Sequence, residues 1–172
     1  MKYDYKQLYE KNAAFYHRQP RAKQALRICG GILTYTFVLA YAGLWAYGAF
    51  LGNFTPNDFM RIFVVPTAAL VFVSFLRLGI SRPRPYSPEG AGTTPLVTRK
   101  GREHDSCPSR HLTCAAAIAM VFLPFLPFVG GVLLLFCFAL AYTRFALGLH
   151  YPSDLLAGIA VGCAVGSLVF FL

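Results

Sequence analysis

Residues 143–154 read T-R-F-A-L-G-L-H-Y-P-S-D, and they place an arginine, a histidine and an aspartate in a chain that is otherwise uncharged from Leu112 to its C-terminus. An arginine near the middle of a membrane-spanning helix costs roughly 2.5 to 3.5 kcal/mol on insertion scales, so a chain that keeps one there has a use for it. Taken singly, each residue has an ordinary explanation. Arg144 snorkels to a membrane edge, His150 is a satisfied polar group and Asp154 caps the last helix. Two further polar clusters, in residues 77–85 and 108–111, turn the reading toward a site.

The apolar background sets the fold class. Of 172 residues 56% are hydrophobic and only 13% charged, about half the charge of a soluble domain. Five apolar runs stand out, at residues 28–51, 62–80, 112–127, 129–142 and 155–172. Spanning the hydrocarbon takes about 20 residues, so the first and last qualify alone and the others need their flanks. The expectation is an all-α integral membrane bundle of about five transmembrane helices, divided as an interfacial helix over residues 1–25 and a membrane-embedded domain over 26–172. Residues 1–19 carry Tyr5, Leu8, Tyr9, Asn12 and Tyr16 at helical spacing, which predicts an amphipathic helix on the membrane surface, ending near Pro20.

That N-terminal segment lacks a short apolar core followed by a small-residue cleavage site, so the mature chain is expected to start at Met1. The 5 cysteines are odd in number and scattered, and imply no disulfide framework. A net charge of +9 flanks apolar runs without any nucleic-acid motif, which points to anionic lipid head groups or a phosphorylated substrate and not to nucleic acid.

After the first run the polar turn at residues 52–58 offers Thr55 or Asn57 as a cap for the second, in which Pro66 predicts a kink. Residues 81–110 are hydrophilic and aperiodic, the one substantial loop and by its length a functional one. Beyond it, residues 112–142 are uncharged and contain Pro124, Pro127, Gly130 and Gly131, which predicts a helical hairpin turning near residues 127–131. If the chain crosses at Leu112 and returns by Thr143, then His111, Arg144, His150 and the loop all lie at one membrane face. Three sequence-distant polar clusters then meet.

In order the clusters are R-L-G-I-S-R-P-R-P from Arg77, with six residues between Arg77 and Arg84; C-P-S-R-H ending at His111; and Arg144, five residues, His150, three residues, Asp154. In type and spacing the set resembles the type 2 phosphatidic acid phosphatase family, which shares a superfamily with the vanadium haloperoxidases. That family's pattern is Lys-x6-Arg-Pro, Pro-Ser-Gly-His and Ser-Arg-x5-His-x3-Asp. Three residues depart from it: Arg77 stands in place of Lys, Arg110 of Gly and Thr143 of Ser. The first keeps a cation and the third a hydroxyl, whereas Arg110 restricts backbone approach to a phosphate while still offering its N–H.

Phosphate monoester hydrolysis is among the slowest uncatalysed reactions, so a catalytic site must neutralise charge and supply a nucleophile. Arg77, Arg84 and Arg144 suit the first task, because guanidinium donors match phosphate oxygens two at a time. Ser109 stands at the N-cap position, leaving the N–H groups of Arg110 and His111 to an anion. The resemblance implies that His150 attacks phosphorus, that Asp154 accepts from its other nitrogen and holds the tautomer, and that His111 protonates the leaving oxygen. It implies neither metal nor other cofactor. His104, Cys107 and His111 look like a zinc set only in part, since a fourth ligand is missing.

The expected function is therefore hydrolysis of a lipid phosphate or diphosphate, with phosphatidate, phosphatidylglycerol phosphate and a polyprenyl diphosphate all open. The alternative is a non-enzymatic anion-binding channel or transporter, which would tolerate His150→Ala. Vanadate-dependent halide oxidation ranks below both, because the relatives that perform it are soluble. With five crossings, 15 of the 16 Lys and Arg residues fall on the site's side and only Arg61 opposite. The positive-inside rule then predicts a cytosol-facing site in what is expected to be the cell membrane, although many members of the family face outward, often with a sixth span.

Overall fold

The computed structural model describes residues 5–52, 54–97 and 104–172, and among them it contains helices and no strand. Lys2, Asp4, Arg99, Lys100, Arg102 and Glu103, counted above among the charges, lie outside the described residues. The elements in order are α1 (Tyr5–Arg18), α2 (Pro20–Phe50), α3 (Pro56–Ile80), α4 (Arg110–Phe122), α5 (Pro127–Ala146) and α6 (Pro152–Gly166), followed by a 3₁₀ turn over Ser167–Phe170. Four of them, α2, α3, α5 and α6 with its 3₁₀ extension, are long and apolar enough to cross a membrane. Their outward faces carry Leu39, Phe63, Phe75, Leu135 and Phe138, all exposed. The molecule is an integral membrane helical bundle.

Proline sets most of the helix starts. Pro20, Pro56, Pro127 and Pro152 each open their helix, where the missing N–H would have had no intrahelical partner and the fixed φ is already helical. Thr55 caps α3 in a reciprocal capping box with Asp58. Two expected boundaries move for this reason. Pro20 starts α2 as well as following α1, so Arg21, Lys23 and Arg27 belong to the first turns of a 31-residue helix that begins ahead of the apolar run at 28–51. The turn between α4 and α5 falls at residues 123–126, one step before Pro127, and Gly130 and Gly131 are helical. Pro66 lies inside α3, which continues through it.

At the centre sits α4, 13 residues long, which at about 1.5 Å per residue reaches only about 20 Å. It is too short to span alone and is enclosed by its neighbours: Leu112, Ala116, Ala117, Ala119 and Val121 are fully buried. Its most extensive packing is against α6, then α5 and α3. Lipid is as apolar as leucine, so water exclusion does little to bring such helices together and close van der Waals fit does more. Gly158, Gly162 and Gly166 supply that fit. A Cβ on Gly158 would lie 2.8 Å from the Ser109 carbonyl oxygen, one on Gly162 would collide with the Thr113 carbonyl oxygen, and one on Gly166 would press on Met120. The seam fixes the N-termini of α4 and α6 side by side.

The amphipathic helix is present as α1, but its buried face meets protein. Tyr5, Tyr9, Ala13 and Tyr16 pack in a second cluster with Leu26, Leu96, Ala146, Leu147 and Leu149. Tyr9 donates to the Thr94 carbonyl at 2.9 Å, and Gly148, at φ +75°, lies directly against its ring. The helix is a strap across the loops that carry the polar clusters.

Candidate active site

Five chain segments deliver polar groups to one end of the bundle: the C-terminus of α3, the described parts of the following loop (residues 81–97 and 104–109), the N-terminus of α4, the C-terminus of α5 and the N-terminus of α6. Loop and helices are stitched by backbone hydrogen bonds. Ser106 donates to the Arg82 carbonyl, Leu96 to that of Leu147, Leu149 to that of Arg144 and Ser109 to that of Asp154. A polar loop buried at such a place needs these partners, because each unpaired backbone group would cost free energy comparable to a lost hydrogen bond.

His150 lies between α5 and α6 and is 3% exposed. Its Nδ1 is 2.9 Å from the Ser106 carbonyl oxygen. A carbonyl only accepts, so Nδ1 carries the hydrogen and, in the neutral ring, Nε2 keeps its lone pair. Burial holds the ring's pKa well below the ordinary 6.5; the Arg84 guanidinium adds to this, the Ser106 carbonyl opposes it, and Arg77 and His111 act with Arg84. A neutral nucleophile-competent ring is thus the resting form near neutral pH.

The expected role of Asp154 as direct acceptor from His150 is corrected by the geometry. Its Oδ2 is 3.9 Å from Nδ1, beyond hydrogen-bond reach. The fully buried carboxylate is occupied elsewhere: Oδ1 takes Arg82 at 2.7 Å, and Oδ2 takes the Ser106 hydroxyl at 2.5 Å and the Tyr151 N–H at 3.1 Å. Position N3 of α6 makes it a cap first, since a carboxylate there turns back to the orphan N–H groups of its own helix.

Arg77, at 8% exposure, reaches the Pro108 carbonyl at 3.5 Å. Arg84, at 4%, reaches the carbonyls of His104 and Leu149 at 3.4 and 3.3 Å. These contacts hold both guanidiniums near His150, whose ring feels the charge of each. Arg144 donates to Thr34 at 2.8 Å and lines a cavity of about 380 Å³ together with Arg27, Gly30, Thr34, His111 and Leu149. Thr143 bonds the Leu140 carbonyl and touches Gly30 of α2.

Ser109 is the N-cap residue of α4, yet its side chain makes no capping bond; its Oγ is buried without a protein partner. His111, half-buried, also faces a second, apolar cavity of about 230 Å³ lined by Phe37, Val38, Ala115, Ile118 and Leu140. The Arg110 side chain is exposed and borders this second cavity. Two residues had no assigned role in the sequence. Arg82 sits inside the first motif, where six-residue spacing draws attention to its neighbours, and Ser106 precedes the second motif; neither is picked out by a periodicity.

The comparisons agree with this architecture. Residues 58–172 match the model of the PAP2 superfamily. The lipid A 4'-phosphatase of Bacteroides thetaiotaomicron is 35% identical over 103 residues, which are 58% of this chain and 46% of that one, so the chain spans under half the length of that relative. Among solved structures, Aquifex aeolicus LpxE superimposes with a TM-score of 0.60 at 23% identity, covering 87% of this chain and 94% of its own. The transmembrane PAP2-type phosphatidylglycerolphosphate phosphatase of Bacillus subtilis gives 0.69 at 22% identity, covering 97% and 83%. At such identities the two structures speak for the fold alone.

Proposed function

The chain belongs to the PAP2 superfamily, and from that premise we propose that it is a membrane phosphatase hydrolysing the phosphate ester or diphosphate of a lipid through a phosphohistidine. One observation carries the reading: a buried His150 ring, protonated at Nδ1 and therefore nucleophilic at Nε2, lies in the fields of Arg84 and Arg77. Nε2 attacks phosphorus and forms the N–P bond while the bond to the leaving oxygen breaks. His111 gives that oxygen its proton. In the second half, His111 takes a proton from water, the hydroxide attacks the phosphohistidine, and phosphate departs with His150 restored.

Arg77, Arg84 and Arg144 offset the phosphoryl charge, each charge-assisted hydrogen bond contributing roughly 1.5 to 3 kcal/mol. The backbone N–H groups at Arg110 and His111, with the Ser109 hydroxyl, add donors at a helix N-terminus. The apolar cavity beside His111 suits a lipid tail on the leaving-group side. Candidate substrates are phosphatidate, phosphatidylglycerol phosphate and a polyprenyl diphosphate. The name of the Bacteroides relative adds the 4'-phosphate of lipid A.

The test is phosphate release by the purified protein from a panel of these four, with His150→Ala as control. Release from at least one lipid, abolished in the variant, is expected; release from none, or release undiminished in the variant, overturns the reading. Activity is also expected to survive EDTA and to be blocked by orthovanadate, and loss on chelation restored by magnesium would contradict the metal-free scheme. The site is proposed to face the cytosol of a cell membrane, since Arg27 of the basic α2 start lines the same cavity as Arg144 while Arg61 lies near the start of α3. A cysteine at exposed Thr94, compared with the unaltered protein in intact cells, should resist an impermeant maleimide.

A further inference from the structure

We infer that Asp154 acts on His150 through Ser106, and that Arg82, Asp154 and Ser106 form one unit that sets the tautomer and aim of the histidine ring; the inference rests on the phosphohistidine reading only for its kinetic arm. The contacts close a ring. Arg82 gives its guanidinium to Asp154 Oδ1 at 2.7 Å and its carbonyl to the Ser106 N–H at 2.9 Å. Ser106 gives its hydroxyl to Asp154 Oδ2 and its carbonyl to His150 Nδ1 at 2.9 Å. The carboxylate itself stays 3.9 Å from that nitrogen.

Ser106 is held at three points: its N–H, its hydroxyl and its carbonyl are all engaged, and it is fully buried. A peptide carbonyl so fixed points one way, and the hydrogen on Nδ1 must follow it. Asp154 is anchored in turn by the Tyr151 N–H at 3.1 Å. Arg82 is anchored by Ser153 at 2.9 Å and by the Tyr151 ring, whose centroid is 4.3 Å from the guanidinium carbon. The unit therefore ties the end of α3, the start of α4 and the start of α6 to one nitrogen. None of the three residues of the unit is assigned to touch phosphate; they are positioning residues. A hydroxyl between carboxylate and carbonyl is what makes the aspartate's effect depend on the serine.

Nitrogen-15 NMR of histidine-labelled protein reads the tautomer without any substrate, with His150→Ala assigning the signal among the 4 histidines. In the unaltered protein the His150 Nδ1 signal is expected to be that of a protonated nitrogen and Nε2 that of an unprotonated one. Ser106→Ala and Asp154→Asn should each mix the two tautomers and lower kcat by about 10- to 100-fold with KM little changed, as outer-shell partners commonly do. The double variant should lose no more than the worse single one, because residues acting as a unit are not additive.

Multiplying losses in the double variant, or a His150 signal unchanged in Ser106→Ala, would overturn the inference. Should Ser106→Ala fail to fold, Arg82→Lys, altered at a partly exposed position, must shift the same signal; an unchanged signal there overturns it too. If the unaltered protein releases no phosphate from any lipid, the functional reading fails while the NMR result still decides this one.

Discussion

The two histidines of the site occupy opposite surroundings. His150 is enclosed, with one nitrogen bonded to a carbonyl and its supporting carboxylate bonded at both oxygens. His111 stands half-open between two cavities, one with polar residues and one with apolar walls. On the proposed mechanism the first must be aimed before substrate arrives, and the second must accept leaving groups of varied shape. Rigidity is concentrated where bond formation demands alignment, since misplacement by about 1 Å can cost on the order of 100-fold. The cavity side is left to accommodate.

The largest effect expected is at the rigid pole. His150→Ala should remove phosphoenzyme entirely and lower kcat by on the order of 10⁴ to 10⁶, as loss of a nucleophile does elsewhere. Acid-labile phosphoenzyme still accumulating in this variant would assign the nucleophile to another group.

The same residue carries a stability effect with a definite sign. The folded ring takes up its proton only well below 6.5, whereas the unfolded chain takes it up near 6.5. In the window beneath 6.5 the unfolded state binds more protons, so this contribution is complete above about 6.5 and is lost as pH falls through the folded pKa. The thermal midpoint of the unaltered protein in detergent should therefore drop below pH 6.5 more steeply than that of His150→Ala. Parallel curves would show that burial does not hold the ring neutral.

Next comes the accommodating pole. Ile118 of α4 lines the apolar cavity, and Ile118→Trp fills space that a tail would use. A rise in KM of about 10-fold for long-chain lipid phosphates is expected, equal to about 1.4 kcal/mol of lost binding, with short-chain analogues unaffected. An equal rise for both would show that the cavity does not hold the tail.

Much of this division was legible in the sequence. The hydropathy of residues 28–51 and 155–172 gives two spans outright, and Arg77, Arg84, Arg144, His111 and His150 stand out because charge is expensive in that background. Two kinds of feature were not legible. Helix boundaries at Pro20 and Pro127 shifted because proline both ends one helix and begins the next, and sequence alone shows a break without its direction. Contacts across distance were also hidden: Ser106 and Asp154 are 48 positions apart, and they meet where Gly158, Gly162 and Gly166 let α6 lie close against α4. The x3 spacing from His150 to Asp154 suggests a direct bond, yet the first turn of α6 directs the carboxylate to its own helix start and to Ser106.

The smallest effect expected is at Arg110, and it separates the backbone of the α4 N-terminus from the side chain it carries. Arg110 begins α4, so its N–H is one of those without an intrahelical partner, while its side chain is exposed beside the apolar cavity. The Arg84, Arg77 and His111 charges act on the His150 ring. Glycine at this position keeps the N–H and relaxes the approach of an anion to the helix end; its helix cost, about 1 kcal/mol in an interior, falls at a first position. An exposed charge contributes about 0 to 1 kcal/mol to a contact in water. Arg110→Gly should therefore leave kcat within about twofold and raise KM by at most about fivefold for a diphosphate, and less for a monoester. Comparing both substrates on one preparation checks this. A kcat loss approaching that of His150→Ala would show that the guanidinium reaches the phosphoryl group during turnover and belongs with Arg77, Arg84 and Arg144.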